Sequence, residues 1–181
     1  MTKEFPPRRL DVKAFAEAGA TLRGEEPLAR YARLVAETQD TESPAPVVWS
    51  ATGEMRNPGH VNPEIWLHLE AGAVLALTCQ RCLGPVDVNV TTDRRFRFVA
   101  DENLAAAQDE EAEEDVLALS REFDLLELVE DELLMETPLA PRHDVCPQQL
   151  SMSVADEDFD AGAGARENPF AVLGKLKGGS T

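Results

Sequence analysis

The chain has 181 residues, and its 34 acidic residues against 17 basic ones give a formal net charge of -17 at pH 7. The length fits one domain with tails, or at most two small domains, and 43% hydrophobic residues suffice for a core. This charge excludes a protein that coats nucleic acid, because such proteins need many cations to displace the counterions of phosphate. Any RNA contact must therefore be local, whereas a basic protein partner is electrostatically easier to accept.

The N-terminal sequence and the cysteine content predict a cytoplasmic protein. Residues 1–10 contain three basic residues, but no apolar run follows them, so we expect no signal peptide. No stretch approaches the roughly 18 apolar residues of a membrane helix. Three cysteines, an odd number, do not suit a secreted disulfide framework, so the thiols should be reduced.

Residues 1–46 are predicted to form an N-terminal segment with a short strand or helix. Between residues 27 and 37 four apolar side chains recur at helical spacing and predict a short amphipathic helix: Leu28, Tyr31, Leu34 and Val35. The turn-rich residues 41–46 (TESPAP) predict a linker.

From residue 47 to residue 99 the apolar residues recur with a period of two, which predicts strands. After a strand that opens at Val47, residues 65–69 form another, a turn is predicted at 71–73 (Ala-Gly-Ala), and a strand returns over 74–79. The clearest alternation is the last one, formed by Val86, Val88, Val90, Phe96 and Phe98. The pattern predicts an antiparallel meander with one apolar face.

The next segment is strongly acidic. Residues 101–115 contain eight acidic residues and no basic one, which predicts a mobile, solvated loop. Residues 123–136 then predict a helix, with Asp124 as its cap and Pro138 and Pro141 after its end. An apolar stripe on this helix is formed by Leu125, Leu126, Val129 and Leu133, broadened by Leu128 and Met135.

These elements predict an α+β fold, in which an antiparallel β-meander packs with one or two helices. The β-rich core domain spans residues 47–146 and includes a flexible acidic loop (101–122) and the helix of 123–136. Residues 147–181 are predicted to be a flexible tail that ends in a short apolar helix.

Two cysteines in the sequence Cys79-Gln80-Arg81-Cys82 follow a strand, where a tight turn could direct both sulfurs at one metal ion. His143 and Cys146 could supply the other ligands of a tetrahedral zinc site. The alternative is three buried or idle thiols, and the sequence favours it because a second complete C-x-x-C is missing. No cofactor is therefore certain, and zinc is the one metal that this set suggests.

Two further groups are candidates for contact with a partner. Arg94, Arg95 and Arg97 form a basic cluster that suits a local phosphate or protein contact, with Arg81 as a fourth candidate, or else they are simply a polar sheet face. Near the end, Asn168 and Pro169 have the pattern of a helix start before Phe170. That helix either docks on the sheet or is offered to a partner.

No nucleophile elbow, P-loop or dinucleotide fingerprint is present, so we expect a protein that is not an enzyme. An RNA-processing nuclease is the alternative, and it would need carboxylates around Mg²⁺. Residues 130–132 (Glu-Asp-Glu) are the candidate triplet, but neighbours in a helix point about 100° apart and cannot all bind one ion.

Three motifs follow one another along the chain: CQRC at 79–82 after a strand, VEDELL at 129–134 leading to Pro138, Pro141 and His143, and NPFAVL at 168–173. Together and in this order they resemble the YceD family, the large ribosomal RNA subunit accumulation proteins. The resemblance is strong over the C-terminal part of the chain and is one of layout over the N-terminal part. Some relatives have a further cysteine pair where this chain has only His143 and Cys146.

The resemblance implies a role in the synthesis, processing or stability of 23S ribosomal RNA, without a known catalytic activity. The implied partner is a ribosome assembly intermediate, a ribosomal protein or the 23S ribosomal RNA precursor. It implies neither a membrane nor a small-molecule substrate. A zinc-binding structural adaptor is the second alternative to this function.

Overall fold

The structure is a computed structural model, and it describes residues 4–39 and 45–147. All of them belong to the unit Met1–Pro147, one of the two units into which the chain divides. The other unit, Gln148–Thr181, lies outside the described residues, and so does the predicted C-terminal helix.

The described part has the α+β fold that the sequence predicts, with a five-stranded sheet and four α-helices. The helices are α1 (Val12–Glu17), α2 (Ala32–Glu37), α3 (Glu102–Asp109) and α4 (Leu125–Met135). The strands are β1 (Thr21–Glu26), β2 (Val47–Arg56), β3 (Glu64–Thr78), β4 (Pro85–Val99) and β5 (Asp115–Ala118). None of the described helices is long and apolar enough to span a membrane.

The strands lie in the sheet in their sequence order. β1 to β4 are joined as an antiparallel meander, and β5 is added parallel to β4. β2, β3 and β4 confirm the meander predicted for residues 47–99, whereas β1 lies outside that prediction. The pairing places Leu69 of β3 between Ala51 of β2 and Arg94 of β4. Because the side-chain period of a strand is two, this register gives every strand of the meander one shared apolar face.

The apolar face is the core of the molecule, as the alternation predicts. Every odd-numbered residue of β3 from Ile65 to Leu77 is buried, and Phe96 and Phe98 of β4 are buried beside them. α1 and α4 pack on this face. α1 comes so close to β2 that a Cβ at Gly53 would lie 2.7 Å from the ring of Phe15, so this position requires glycine.

α4 follows its predicted pattern. The Asp124 carboxylate accepts hydrogen bonds from the backbone N–H groups of Leu126 (3.0 Å) and Glu127 (3.1 Å), which caps the first turn. The predicted stripe is buried, but Met135 is 75% exposed and does not broaden it.

Near the N-terminus, residues Leu28–Arg30 form a 3-10 turn before α2, so the predicted short helix is confirmed with a break at Tyr31.

The predicted turn at residues 71–73 is wrong, because β3 runs straight through it. Gly72 pairs with Val48 on one side and with Thr91 on the other. The small residues suggested a turn, but the apolar parity of β3 continues unbroken across them, and hydrogen bonds on both flanks hold the segment extended.

The predicted acidic loop is also wrong over most of its first half. Residues Glu102–Asp109 form α3, and the side chain of Asp101 caps it by accepting from the N–H of Leu104 (3.0 Å). Residues Asp115–Ala118 form β5. The prediction treated the acidic residues as uncompensated, whereas arginines of β4 neutralise two of them across the sheet edge.

Candidate functional site

The turn between β3 and β4 brings the two cysteines of the C-x-x-C motif together. The N–H of Cys79 donates to the carbonyl oxygen of Gly84, and the N–H of Leu83 donates to that of Cys79, both at 2.9 Å. Leu83 has a φ of 60°, a left-handed conformation that tightens the turn. Cys79 is fully buried and Cys82 half-buried.

The segment that follows α4 lies against this turn. The N–H of Gln80 donates to the carbonyl oxygen of Pro141 at 2.8 Å. The Arg81 guanidinium donates to the carbonyl oxygens of His143 and Asp144, the latter at 3.1 Å. Arg81, a candidate for partner binding, therefore serves in the structure to hold residues 141–147 in place.

The four candidate metal ligands converge at this point. One ligand atom from each of Cys79, Cys82, His143 and Cys146 lies within 4.8 Å of the others. The sulfurs of Cys79 and Cys146 are 3.9 Å apart, and the sulfur of Cys82 is 3.5 Å from Nδ1 of His143. The structure thus assembles the set that sequence spacing only suggested, and three thiols with one imidazole suit zinc.

The environment makes the thiols of the cluster unequal. Burial raises the pKa of the Cys79 thiol, but hydrogen bonds from the backbone N–H groups of Cys82, His143 and Arg81 and from the His143 side chain outweigh it, so the pKa falls to about 5. Burial, followed by hydrogen bonds with the other two cysteines, raises the pKa of Cys146. The lowered pKa favours the thiolate form of Cys79 at neutral pH.

The basic cluster of β4 is divided between the two faces of the sheet. Arg94 lies on the core side, where it pairs with Asp115 (2.5 Å) and more distantly with Glu132 (3.9 Å). The hydrogen bond with Asp115 is the main reason that the pKa of Arg94 is raised. Arg94 thus ties β5 to β4 and lies beside the buried Glu132 of α4.

Arg97 lies on the opposite face and is equally engaged. Its guanidinium donates to Glu114 (2.5 Å) and to the side-chain oxygen of Gln108 in α3 (2.7 Å). The hydrogen bond from Arg97 lowers the pKa of Glu114. Arg95, which stands opposite His68 in the register, is exposed and has no ion-pair partner among residues 4–39 and 45–147.

The three consecutive acidic residues of α4 point to different structural tasks. Glu130 accepts from the backbone N–H groups of Arg33 (2.7 Å) and Leu34 (3.3 Å), which caps α2, and Asp131 pairs with the Arg33 side chain. Glu132 is buried toward Arg94. Glu130 also pairs with the Arg33 side chain, so two of the carboxylates bind one guanidinium while the third lies toward Arg94. The three carboxylates that a nuclease would need are therefore not directed at one point.

A second group of ligand-type side chains was not found from the sequence. His68, Glu70 and Asp93 place one ligand atom each within 4.8 Å of the others on the open face of the sheet, with His68 Nε2 and Asp93 Oδ1 2.6 Å apart. His68 and Glu70 lie two residues apart on β3, so the alternation of the strand could have placed them on one face. Asp93 lies beside them only because β4 pairs with β3 in this register, which the sequence does not show.

Asn168, Pro169 and Phe170, the remaining candidates, lie outside the described residues.

Comparison with known proteins agrees with the sequence motifs. Residues 67–177 match the family model described as "Large ribosomal RNA subunit accumulation protein YceD". A protein of that name from Haemophilus influenzae is 33% identical over 106 residues, which cover 56% of this chain and 59% of that protein, so the chain spans less than two thirds of the relative. No solved structure matches the chain. Since the family model covers more than half of its residues, the chain belongs to the YceD family.

Proposed function

We propose that the chain supports the accumulation of 23S ribosomal RNA as a non-enzymatic factor of ribosome biogenesis in the cytoplasm. The observation that carries this proposal is the family match over residues 67–177, which takes in β4, β5, α4 and the cysteine cluster. The curated relative bears large ribosomal RNA subunit accumulation in its name.

The arrangement of the acidic residues supports a role without catalysis. General acid–base or two-metal chemistry needs carboxylates that converge on one point. In α4, Glu130 caps another helix, Asp131 pairs with Arg33, and Glu132 is buried. This use of all three as structural groups disfavours the nuclease alternative.

The charges favour a protein partner over an extended RNA contact. Among the four candidate arginines, Arg81, Arg94 and Arg97 bind groups of the chain itself. The turn between α3 and β5 contains three exposed acidic residues, Glu110, Glu111 and Glu113, and is called the acidic turn below. None of the three has an ion-pair partner among residues 4–39 and 45–147, so their charges are available to a partner. We propose that this acidic turn binds a basic protein of the assembling large subunit.

The test begins with a deletion strain whose ribosome profile and 23S precursor lengths are measured, and which is then complemented. The native chain should restore mature 23S ribosomal RNA. A variant with Glu110, Glu111 and Glu113 changed to lysine should restore it poorly although it folds. A matched control changes three exposed acidic residues elsewhere, Glu17, Glu37 and Asp87, to lysine. It has the same net charge as the acidic-turn variant and should complement normally.

The variant Arg95→Glu tests the alternative that the chain contacts RNA directly, because Arg95 is the candidate arginine without an ion-pair partner among the described residues. Full complementation by this variant agrees with a protein partner. If Arg95→Glu fails to complement and the acidic-turn variant succeeds, the contact is with RNA and the proposed protein contact is wrong. If the deletion strain accumulates normal 23S ribosomal RNA, the proposed function itself is wrong.

A further inference from the structure

We propose that Cys79, Cys82, His143 and Cys146 bind one Zn²⁺ ion, which fastens the segment after α4 to the turn between β3 and β4. The proposal rests on the convergence of all four ligand atoms within 4.8 Å. It does not depend on the proposed role in ribosomal RNA accumulation.

The separations between ligand atoms are those of a tetrahedral zinc site. With Zn–S of about 2.3 Å and Zn–N of about 2.0 Å, two sulfurs at tetrahedral positions lie about 3.8 Å apart, and a sulfur and a nitrogen about 3.5 Å apart. The observed values are 3.9 Å for Cys79 to Cys146 and 3.5 Å for Cys82 to His143 Nδ1. A sulfur pair at 3.9 Å is not a disulfide, and all three cysteines are free.

The ligand types select the metal. Thiolate and imidazole ligands suit zinc, whereas Mg²⁺ and Ca²⁺ require oxygen ligands. Four protein ligands also fill a tetrahedral zinc ion, which leaves no open position for water or substrate. The site is therefore structural rather than catalytic.

Hydrogen bonds from the two residues between the cysteines hold the two halves of the cluster together independently of the metal. Gln80 and Arg81, the two residues between the cysteines, bind the carbonyl oxygens of Pro141, His143 and Asp144. The two halves of the site lie more than sixty residues apart in sequence, so a metal ion that joins them closes a long loop. Zinc thus fixes the point at which the chain leaves the described unit at residue 147.

The test measures metal in the full chain purified without chelators from zinc-replete cells. We expect about one zinc ion per chain, as a four-ligand structural site binds. Cys82→Ser and His143→Ala should lose this zinc to a chelating resin that leaves it in the native protein. His60→Ala is the matched control, since His60 is exposed and distant in sequence from the cluster, and it should retain the metal.

Two measurements on the native protein serve if the variants do not fold. Cobalt added to the chelated chain should give a thiolate-to-metal charge-transfer band and the intense visible bands of a tetrahedral ion. Zinc added to the chelated chain should protect its three thiols from a thiol reagent. Only trace metal in the native protein together with neither cobalt band nor thiol protection would overturn the proposal. Bound iron in place of zinc, or a Cys79–Cys146 disulfide in the fresh protein, would also overturn it.

Discussion

Glu132 shows how a single buried acid reports on the packing of α4. It is 6% exposed and faces Arg94 at 3.9 Å, too far for a strong ion pair. Burial raises its pKa, Arg94 lowers it, and the remaining contributions raise it again through Asp115, Glu136 and Asp131. The net effect is a raised pKa, so folding disfavours the charged form.

This makes stability depend on pH in a defined direction. A carboxyl whose folded pKa is raised contributes stability below its ordinary pKa and loses it as the pH rises through the folded value. Glu132→Gln should therefore raise the Tm at pH 7, and the difference from the native protein should narrow as the pH falls through the folded pKa. Thermal melts across this range check it, with exposed Glu17→Gln as the control. A lower Tm for Glu132→Gln at pH 7 would mean that the pair with Arg94 dominates.

Asp124 allows a capping contribution to be separated from an ion pair. Its carboxylate accepts from two N–H groups of α4 and also faces Arg8 at 3.4 Å. Asp124→Ala should lower the free energy of unfolding by about 1 kcal/mol, the usual contribution of a cap. Arg8→Ala should lower it by much less, because an exposed pair contributes little. Denaturant titrations of both variants test this, and equal losses would show that the ion pair accounts for the effect.

At the scale of elements, α3 is held to the sheet mainly by polar contacts. Ala105 is the buried residue of this helix, and Arg97 of β4 donates to Gln108 in the helix and to Glu114 in the turn that follows it. An element with so little apolar burial should open locally before the rest of the fold. α3 is therefore expected to be ordered but weakly protected.

Arg97→Ala should release this element while the meander stays folded. Hydrogen exchange of the α3 amides should become faster, by the equivalent of about 1 kcal/mol in local opening, because the hydrogen bond from Arg97 to Gln108 of the helix is lost together with the ion pair to Glu114 beside it. Exchange in β2 and β3 should not change. Arg95→Ala, on the same face of the same strand, is the control. Unchanged α3 exchange in Arg97→Ala would show that the contacts of Arg97 do not hold the helix.

The sequence predicted elements whose signals are local and missed those whose partners are distant. The alternation of apolar residues correctly predicted which faces of β3 and β4 are buried, because burial on one side of a sheet requires a period of two. The apolar stripe and the capping Asp124 correctly predicted α4. α3 was missed because Arg94 and Arg97, which neutralise two acidic residues of the same segment, lie on β4. The sequence does not show that the acidic segment packs at the edge of this strand.

The same distinction applies to the site. The C-x-x-C turn is a local pattern, so both cysteines could be found from spacing alone. The roles of Arg81, Arg94 and Arg97 depend on contacts across the sheet and with the segment after α4. The sequence placed Arg94 and Arg97 in one basic cluster and offered Arg81 as a separate candidate for partner binding. Cross-strand register was also needed to place Asp93 beside His68.

For the whole molecule, charge restricts what the chain can bind. The net charge is -17, and residues 101–132 contribute fourteen acidic residues against one basic residue. Such a field lowers the approach rate of RNA and raises that of a basic protein. The short segment 168–177 departs from this pattern, since it combines Phe170 and other apolar residues with two lysines and no acid.

We therefore expect segment 168–177, which lies outside the described residues, to contact a partner in ribosome assembly. Phe170 is the expected anchor, because truncating a central aromatic weakens an interface by about 2 kcal/mol or more. Phe170→Ala should leave the Tm of the purified chain unchanged and lower 23S ribosomal RNA in a complemented deletion strain. Leu139→Ala, which truncates a fully exposed apolar side chain, is the control and should complement. If Phe170→Ala instead lowers the Tm by several degrees while the RNA accumulates normally, the segment contributes to core packing and has no partner-binding role.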